Sequence, residues 1–329
     1  MILLVYAATQ SQTKDCVAAL IFNPIYFIFP KGLLMKIFTH FKESFLKRQR
    51  NEDGFMGYTH ALSALAVVMM LLAFVPMFVP KIVGNENIWV ICMFVLGTIG
   101  ASMIPDLDNS TSRAKSDLGI FGIAISGFFR VSSTIIQTTI RTKRDDPDPN
   151  PHRGFWHTIP AALFLGLLAY LATLVKGEIN IPVFGAMTWG TVFAMLIVAI
   201  LIHLTLSTLF KEAMDKLKKS EFVGEFIALL ISLSIAFTLF LNIPKNESFW
   251  WVGVSVALGM IIHDFGDAFT KSGNVLLFPC SAFLKGKFWW TTRFTHMKAG
   301  GTAEKMLVVP ICVILTCVAI VKMSIEYFS

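Results

Sequence analysis

The feature that most constrains this chain is a series of apolar stretches, each about as long as a bilayer is thick. A helix needs roughly 20 residues to cross about 30 Å of hydrocarbon. Seven stretches meet that requirement, near residues 61–80, 88–105, 155–175, 183–209, 222–243, 249–270 and 306–323. The chain is 55% hydrophobic and only 15% charged, which does not suit a water-facing surface. We therefore predict an all-α, polytopic transmembrane helix bundle of about seven spans.

Two further segments are apolar without having the character of a span. Residues 118–140 are interrupted by Gly122, Gly127 and Arg130 and are rich in Ser and Thr, which favours an interfacial helix. Residues 17–34 contain an asparagine and two prolines and are a weaker candidate. The predicted organisation is a basic, cytoplasmic N-terminal extension (1–55), a membrane-embedded domain (56–323) and a short tail (324–329).

The lysines and arginines alternate from one side of the predicted bundle to the other. Seven precede His60, seven lie in 106–154, four in 211–221 and six in 271–305, whereas the other side of the bundle has four. Cytoplasmic loops carry the excess of positive charge, so the N-terminus is predicted in the cytoplasm and the C-terminus outside. The net charge of +7 is then explained by topology, and a nucleic-acid partner is not expected.

The sequence lacks the motifs that are typical of several other classes of protein. The five cysteines form no C-x-x-C pair, so neither a disulfide framework nor a thiolate zinc site is indicated. The N-terminal apolar start has its lysine after it rather than before it, which argues against a secretory signal peptide. The sequence also has no P-loop, H-E-x-x-H or G-x-S-x-G motif, which leaves ATPase, zincin and serine-hydrolase activities unsupported.

Ionisable residues in or beside membrane spans are costly and are functional candidates by default. Here they lie at helix ends that the predicted topology places on the cytoplasmic face: His60, Asp106, Asp108, His152, His157, His263 and Asp267. Imidazole and carboxylate ligands suit Zn²⁺, Mn²⁺ or Fe²⁺, and several carboxylates allow a second ion. His263 and Asp267 are four residues apart on one helix face and can share an ion. We predict one or two divalent ions, with zinc favoured.

Other histidines and pairings have simpler interpretations. Lone histidines near helix ends are usually interfacial or capping residues, which is the interpretation of His40, His203 and His296. His263 followed by Asp264 resembles the dyad of soluble HD-type phosphohydrolases, but the apolar helix around it favours His263 with Asp267.

Taken together, the motifs resemble the YdjM-type family of metal-dependent hydrolases of the bacterial inner membrane. The matching blocks are Gly57–His60, Ile104–Asp108, His152–Thr158, His263 through Asp267 to Thr270, and a later Gly-x-x-Glu at Gly301–Glu304. Trp156 stands where the family pattern usually has Thr, and Asn109 where a His often follows the second Asp. The resemblance implies a multi-helix membrane hydrolase whose divalent-metal site lies on these histidines and aspartates.

The predicted function is therefore a metal-dependent hydrolase of the inner membrane, with its site at the cytoplasmic interface. Asp108 or Glu304 would accept a proton from water, and Arg153 would stabilise developing negative charge. The expected partners are the lipid bilayer and an amphiphilic ester or phosphoester such as a phospholipid, without an obligate protein partner. The alternatives are a divalent-metal transporter or channel, with ligands near the bilayer midplane, and a non-catalytic scaffold with a closed structural site.

Overall fold

The chain is described by a computed structural model over residues 57–75, 88–109, 115, 118–140, 154–181, 185–209, 221–243, 248–271, 273–278, 294–295, 297–298 and 301–328. The predicted extension 1–55, His152 and Arg153 lie outside the described residues, as do His40 and His296. The contacts discussed below lie within one compact unit, residues 54–319.

The described residues form eight α-helices, numbered here in chain order: α1 Gly57–Phe74, α2 Ile88–Ala101, α3 Gly119–Ile140, α4 Ile159–Thr173, α5 Trp189–Leu209, α6 Glu221–Phe240, α7 Trp250–Ala268 and α8 Val309–Phe328. Two short 3-10 turns, Pro105–Asp108 and Phe155–His157, follow α2 and precede α4. A π-helical turn, Glu304–Val308, leads into α8. Each of the seven apolar stretches therefore contains a helix, and the predicted helical fold is confirmed.

Four helical segments of the described chain are long and apolar enough to cross a membrane: Gly57–Phe74, Ile88–Asp108, Trp189–Leu209 and Glu304–Ile325. Ile159–Thr173 and Leu229–Phe240 are apolar but shorter. α7 carries two aspartates and a histidine in its last two turns, which lowers its mean hydropathy. Seven spans and a cytoplasmic N-terminus thus stay predictions.

Helix α7 packs against α4, α2 and α1. Its backbone approaches that of α4 closely where a glycine of each helix faces the other. A Cβ on Gly166 of α4 would lie 2.6 Å from the carbonyl oxygen of Gly253 on α7, and one on Gly253 would lie 2.5 Å from the carbonyl oxygen of Gly166. Small residues let transmembrane helix backbones meet in this way. The same helix meets α2 at Gly259, where an added Cβ would collide with the backbone of Thr98. These contacts fix the lateral position of α7.

A short β-hairpin joins α4 and α5, where the sequence predicted a helix starting near residue 183. Strands β1 Glu178–Ile181 and β2 Gly185–Thr188 pair antiparallel, with Glu178 opposite Thr188. The predicted boundary is wrong because Gly185 adopts φ +74°, a left-handed conformation that does not start a helix. The hairpin follows the end of α4 that is opposite to His157.

Helix α3 exists over the predicted interfacial segment and packs on both 3-10 turns. Its exposed side chains include the apolar Ile123, Phe128 and Val131 together with Arg130 and Thr134, whereas Ser126, Phe129 and Ser133 are buried. Large apolar side chains exposed beside an arginine suit a helix that lies at the membrane interface.

Candidate metal centre

The candidate site is assembled where five chain segments meet at one end of the bundle. α1 begins there, α2 and α7 end there, and α4 begins there, each with its ionisable residues in the terminal turns. The segment Glu304–Val308 joins this end through a hydrogen bond from Thr59 Oγ1 to Glu304 Oε1. The order of helix directions agrees with the alternation that the lysine and arginine pattern predicts.

Asp106 and Asp108 owe their position to the way α2 ends. Pro105 has no backbone N–H and cannot continue the helix, so the chain tightens into a 3-10 turn in which Leu107 N donates to Ile104 O at 3.0 Å. Residues two apart on such a turn point in different directions. Asp106 consequently faces His263, while Asp108 faces His157.

The imidazole of His263 has a defined tautomer. Its Nδ1 lies 2.7 Å from the carbonyl oxygen of Ser102, which can only accept, so Nδ1 carries the proton. This carbonyl lies just past the last residue of α2, where backbone oxygens lack helical partners. Nε2 faces two carboxylates, 3.6 Å from Asp267 Oδ2 and 3.8 Å from Asp106 Oδ1, and it makes no hydrogen bond among the described residues, so it is the nitrogen available to an ion. Metal-binding histidines are commonly fixed in this way through their other nitrogen.

His157 lies between two carboxylates. Its Nε2 is 3.4 Å from Asp108 Oδ1, and its Nδ1 is 3.2 Å from Asp267 Oδ2, with all three side chains almost fully buried. Thr158 ends the 3-10 turn and caps α4 by accepting a hydrogen bond from Ala161 N. The two carboxylates favour positive charge at this position, whether as a proton or as a metal ion.

His60 completes the cluster from the first turn of α1. Its Nε2 lies 3.5 Å from Asp267 Oδ1, and its ring stacks on that of His263 with centroids 3.7 Å apart. Asp267 therefore lies at the centre of the site, because its two oxygens together face His60, His157 and His263.

Two groups of three side chains have donor atoms close enough to hold an ion. They are His60, His263 and Asp267, and Asp106, His157 and His263; in each group the donor atoms lie within 4.8 Å of one another. Nitrogen and carboxylate donors in this number suit zinc, manganese or iron. The buried Nε2 of His263, which accepts no hydrogen bond from the described residues, also fits a metal ligand.

Several supporting residues were not predicted from the sequence. The carbonyl of Ser102 acts through the backbone and leaves no residue-type signal. Trp156 Nε1 donates to Phe129 O and Ser132 Oγ of α3, each at 3.0 Å, and its ring stacks on Phe129. Phe155 N donates to Ser133 Oγ at 3.0 Å, so α3 holds the two residues that precede His157.

The structure brings together six of the seven predicted ligands: His60, Asp106, Asp108, His157, His263 and Asp267. Asp108 belongs to neither three-residue ligand group. Glu304 is buried and accepts the Thr59 hydrogen bond. His152 and Arg153 lie outside the described residues, so their predicted roles are neither supported nor opposed.

His203 does not have the predicted interfacial or capping position. It is buried within α5, and its Nδ1 is 3.2 Å from Ser232 Oγ of α6. A hydrogen bond between apolar helices explains how a histidine is accommodated there. It belongs to neither ligand group.

Neither a comparison with curated proteins nor one with solved structures returns a match. A family model described as YdjM inner membrane protein matches residues 55–212. The matched part contains His60, Asp106, Asp108 and His157 with the helices that carry them, whereas His263 and Asp267 follow it. The predicted resemblance to the YdjM family is thus confirmed over residues 55–212.

Proposed function

We propose that this protein is a multi-pass enzyme of the bacterial inner membrane that hydrolyses an amphiphilic ester or phosphoester with the help of a divalent ion. The observation that carries the proposal is the meeting of three buried imidazoles around the carboxylate of Asp267. Placing so many ionisable groups in an apolar bundle is costly unless they bind something of opposite charge.

The proposed ligands are the members of the two groups: His60, Asp106, His157, His263 and Asp267. Both groups use His263, and its Nδ1 is committed to Ser102, so its Nε2 can serve only one ion. We therefore propose one ion, with zinc favoured and manganese or iron as alternatives. When bound, such an ion lowers the pKa of water and polarises the bond to be cleaved.

Two carboxylates beside the ligands have positions suited to receiving the proton that hydrolysis releases. Asp108 Oδ1 faces His157 Nε2, so it can also orient that imidazole by accepting a hydrogen bond from Nε2, which leaves Nδ1 for the ion. Glu304 is held by Thr59, the residue immediately before His60. Arg153 retains its proposed role of stabilising negative charge on the substrate.

The position of the site along the membrane normal supports a substrate that lies in the membrane. Exposed aromatic side chains lie at the same end of α7, where Phe294 contacts both Phe265 and Phe269. At the opposite end, Trp89 and Trp189 are exposed in the first turns of α2 and α5. Aromatic residues at both ends are typical of the two membrane interfaces, and the proposed ligands lie near one of them.

This location argues against the transporter alternative. Transporters usually bind their ion near the bilayer midplane on interrupted helices. Here the donors lie in the first or last turns of α1, α2, α4 and α7 or in the turns next to them. An ion held there faces the proposed cytoplasmic side, consistent with an enzyme whose substrate lies in that leaflet.

The test is the metal content of the purified protein in detergent, measured by mass spectrometry. Wild type should hold about one equivalent of zinc or manganese, and His263→Ala and Asp267→Ala should lose it. His203→Gln is the matched control, because His203 is equally buried but belongs to neither ligand group, and it should retain the ion. Absence of metal from the wild type after loading would refute the hydrolase mechanism and favour a scaffold.

A further inference from the structure

The proposed ligands differ in how far solvent or substrate can reach them. The side chains of His157 and His263 are 0% exposed and that of Asp267 is 3% exposed, whereas that of Asp106 is 20% exposed. Among the described ligands, Asp106 is therefore the one that solvent or a substrate can reach most easily.

Asp106 is also the most loosely placed donor. Its Oδ1 lies 3.8 Å from His263 Nε2, the longest of the five contacts between histidine and carboxylate in the cluster. It is carried by the short turn Pro105–Asp108, whereas His263 and Asp267 belong to a helix packed on three neighbours. Moving this carboxylate requires a change in one short turn and leaves α7 in place.

The surroundings of this turn point to the bilayer. α3 packs on the turn Pro105–Asp108, and its outward side chains Ile123, Phe128 and Val131 are exposed apolar groups. Ser126 and Ser133 occupy its buried face. The open side of the centre is thus bordered by a helix whose outer face suits lipid.

We infer that the centre opens at Asp106 beside α3, and that the phosphoester headgroup of a bilayer lipid displaces the Asp106 carboxylate when it binds. This inference rests on the proposed function and identifies the access side and the substrate class. A phosphate group is anionic like the carboxylate, so it can take over the same role towards a cation. Asp267 cannot be displaced in this way, because its oxygens contact all three histidines.

The test uses cobalt-loaded protein in phosphatidylcholine nanodiscs, with metal content and the visible absorption of cobalt as readouts. Asp106→Ala should keep its cobalt, whereas Asp267→Ala should lose it. Inorganic phosphate should perturb the Asp106→Ala spectrum at about tenfold lower concentration than the wild type, because a competing negative charge has been removed. Asp106→Asn retains the side-chain size and should show the same direction of change if the alanine variant folds poorly.

The source of the headgroup is tested in the same preparation. Phosphatidic acid added to the nanodiscs should perturb the cobalt spectrum of the wild type, and water-soluble ethyl phosphate at the same total amount should not. A response to ethyl phosphate alone would overturn the lipid assignment. Loss of cobalt from both Asp106 variants, or an unchanged phosphate response in them, would overturn the displacement. A wild type that binds no metal would instead refute the proposed function itself.

Discussion

Replacing Gly253 by alanine tests whether the close approach of α4 and α7 holds the centre together. The added Cβ would lie 2.5 Å from Gly166 O and 2.7 Å from Tyr170 Cβ. Ordinary contacts begin near 3.4 Å, so the two backbones must separate by roughly 0.9 Å at this point. Overpacking of this kind costs about 1–3 kcal/mol of folding free energy.

The consequence for the centre follows from what the two helices carry. α4 is preceded by His157, and α7 ends with His263 and Asp267. Metal–ligand distances tolerate only about 0.2 Å, so a shift of this size between the helices should weaken zinc binding by about tenfold or more. Thermal unfolding followed by tryptophan fluorescence and zinc competition with a chelator measure the two effects.

Gly127→Ala is the matched control. Gly127 lies on the exposed face of α3, and nothing lies within 4 Å of an added Cβ there. Alanine at this position should leave zinc affinity unchanged and should stabilise the helix by about 0.5–1 kcal/mol. The reasoning would be refuted if Gly253→Ala had the unfolding temperature and zinc affinity of the wild type.

Three further results are expected. Asp108→Asn should weaken zinc binding about 10- to 100-fold in a chelator competition, because the carboxylate that orients His157 is lost; an unchanged affinity would show that Asp108 has no such role. Trp156→Phe keeps the ring but loses its hydrogen bonds to α3, so it should cost about 1 kcal/mol of stability and weaken zinc binding, unlike Trp189→Phe on an exposed site. Chelation should lower the unfolding temperature of the wild type, since a ligand at 1,000 times its Kd contributes about 4 kcal/mol, and should leave His263→Ala unaffected.

The helices and the choice of candidate ligands could be predicted from sequence because both depend on one physical contrast. Apolar stretches as long as the bilayer form helices whichever neighbours they have. Against that background, each ionisable residue near a span is conspicuous because it is costly. This contrast is why His60, His157, His263 and Asp267 were predicted and are found together.

The features that could not be predicted depend on how side chains are oriented within the folded bundle. The proton on His263 Nδ1 is set by the carbonyl of Ser102, 161 positions earlier, and no side chain indicates it. The separate roles of Asp106 and Asp108 depend on the rotation between them in a 3-10 turn. The misassigned histidine, His203, illustrates the same limit, because its partner Ser232 belongs to a different helix.

The candidate centre is built from residues inside the family match, which ends at residue 212, and from residues that follow it. The matched part, residues 55–212, contributes His60, Asp106 and His157, and each of the two ligand groups is completed by residues of α7. Asp267 joins His60 to His157 through its two oxygens, and His263 is the member that both ligand groups share. Within the matched part His157 still faces Asp108, but neither three-residue ligand group is complete without α7. It follows that α7, with its histidine and aspartate four residues apart, supplies the residues that complete both candidate ligand groups.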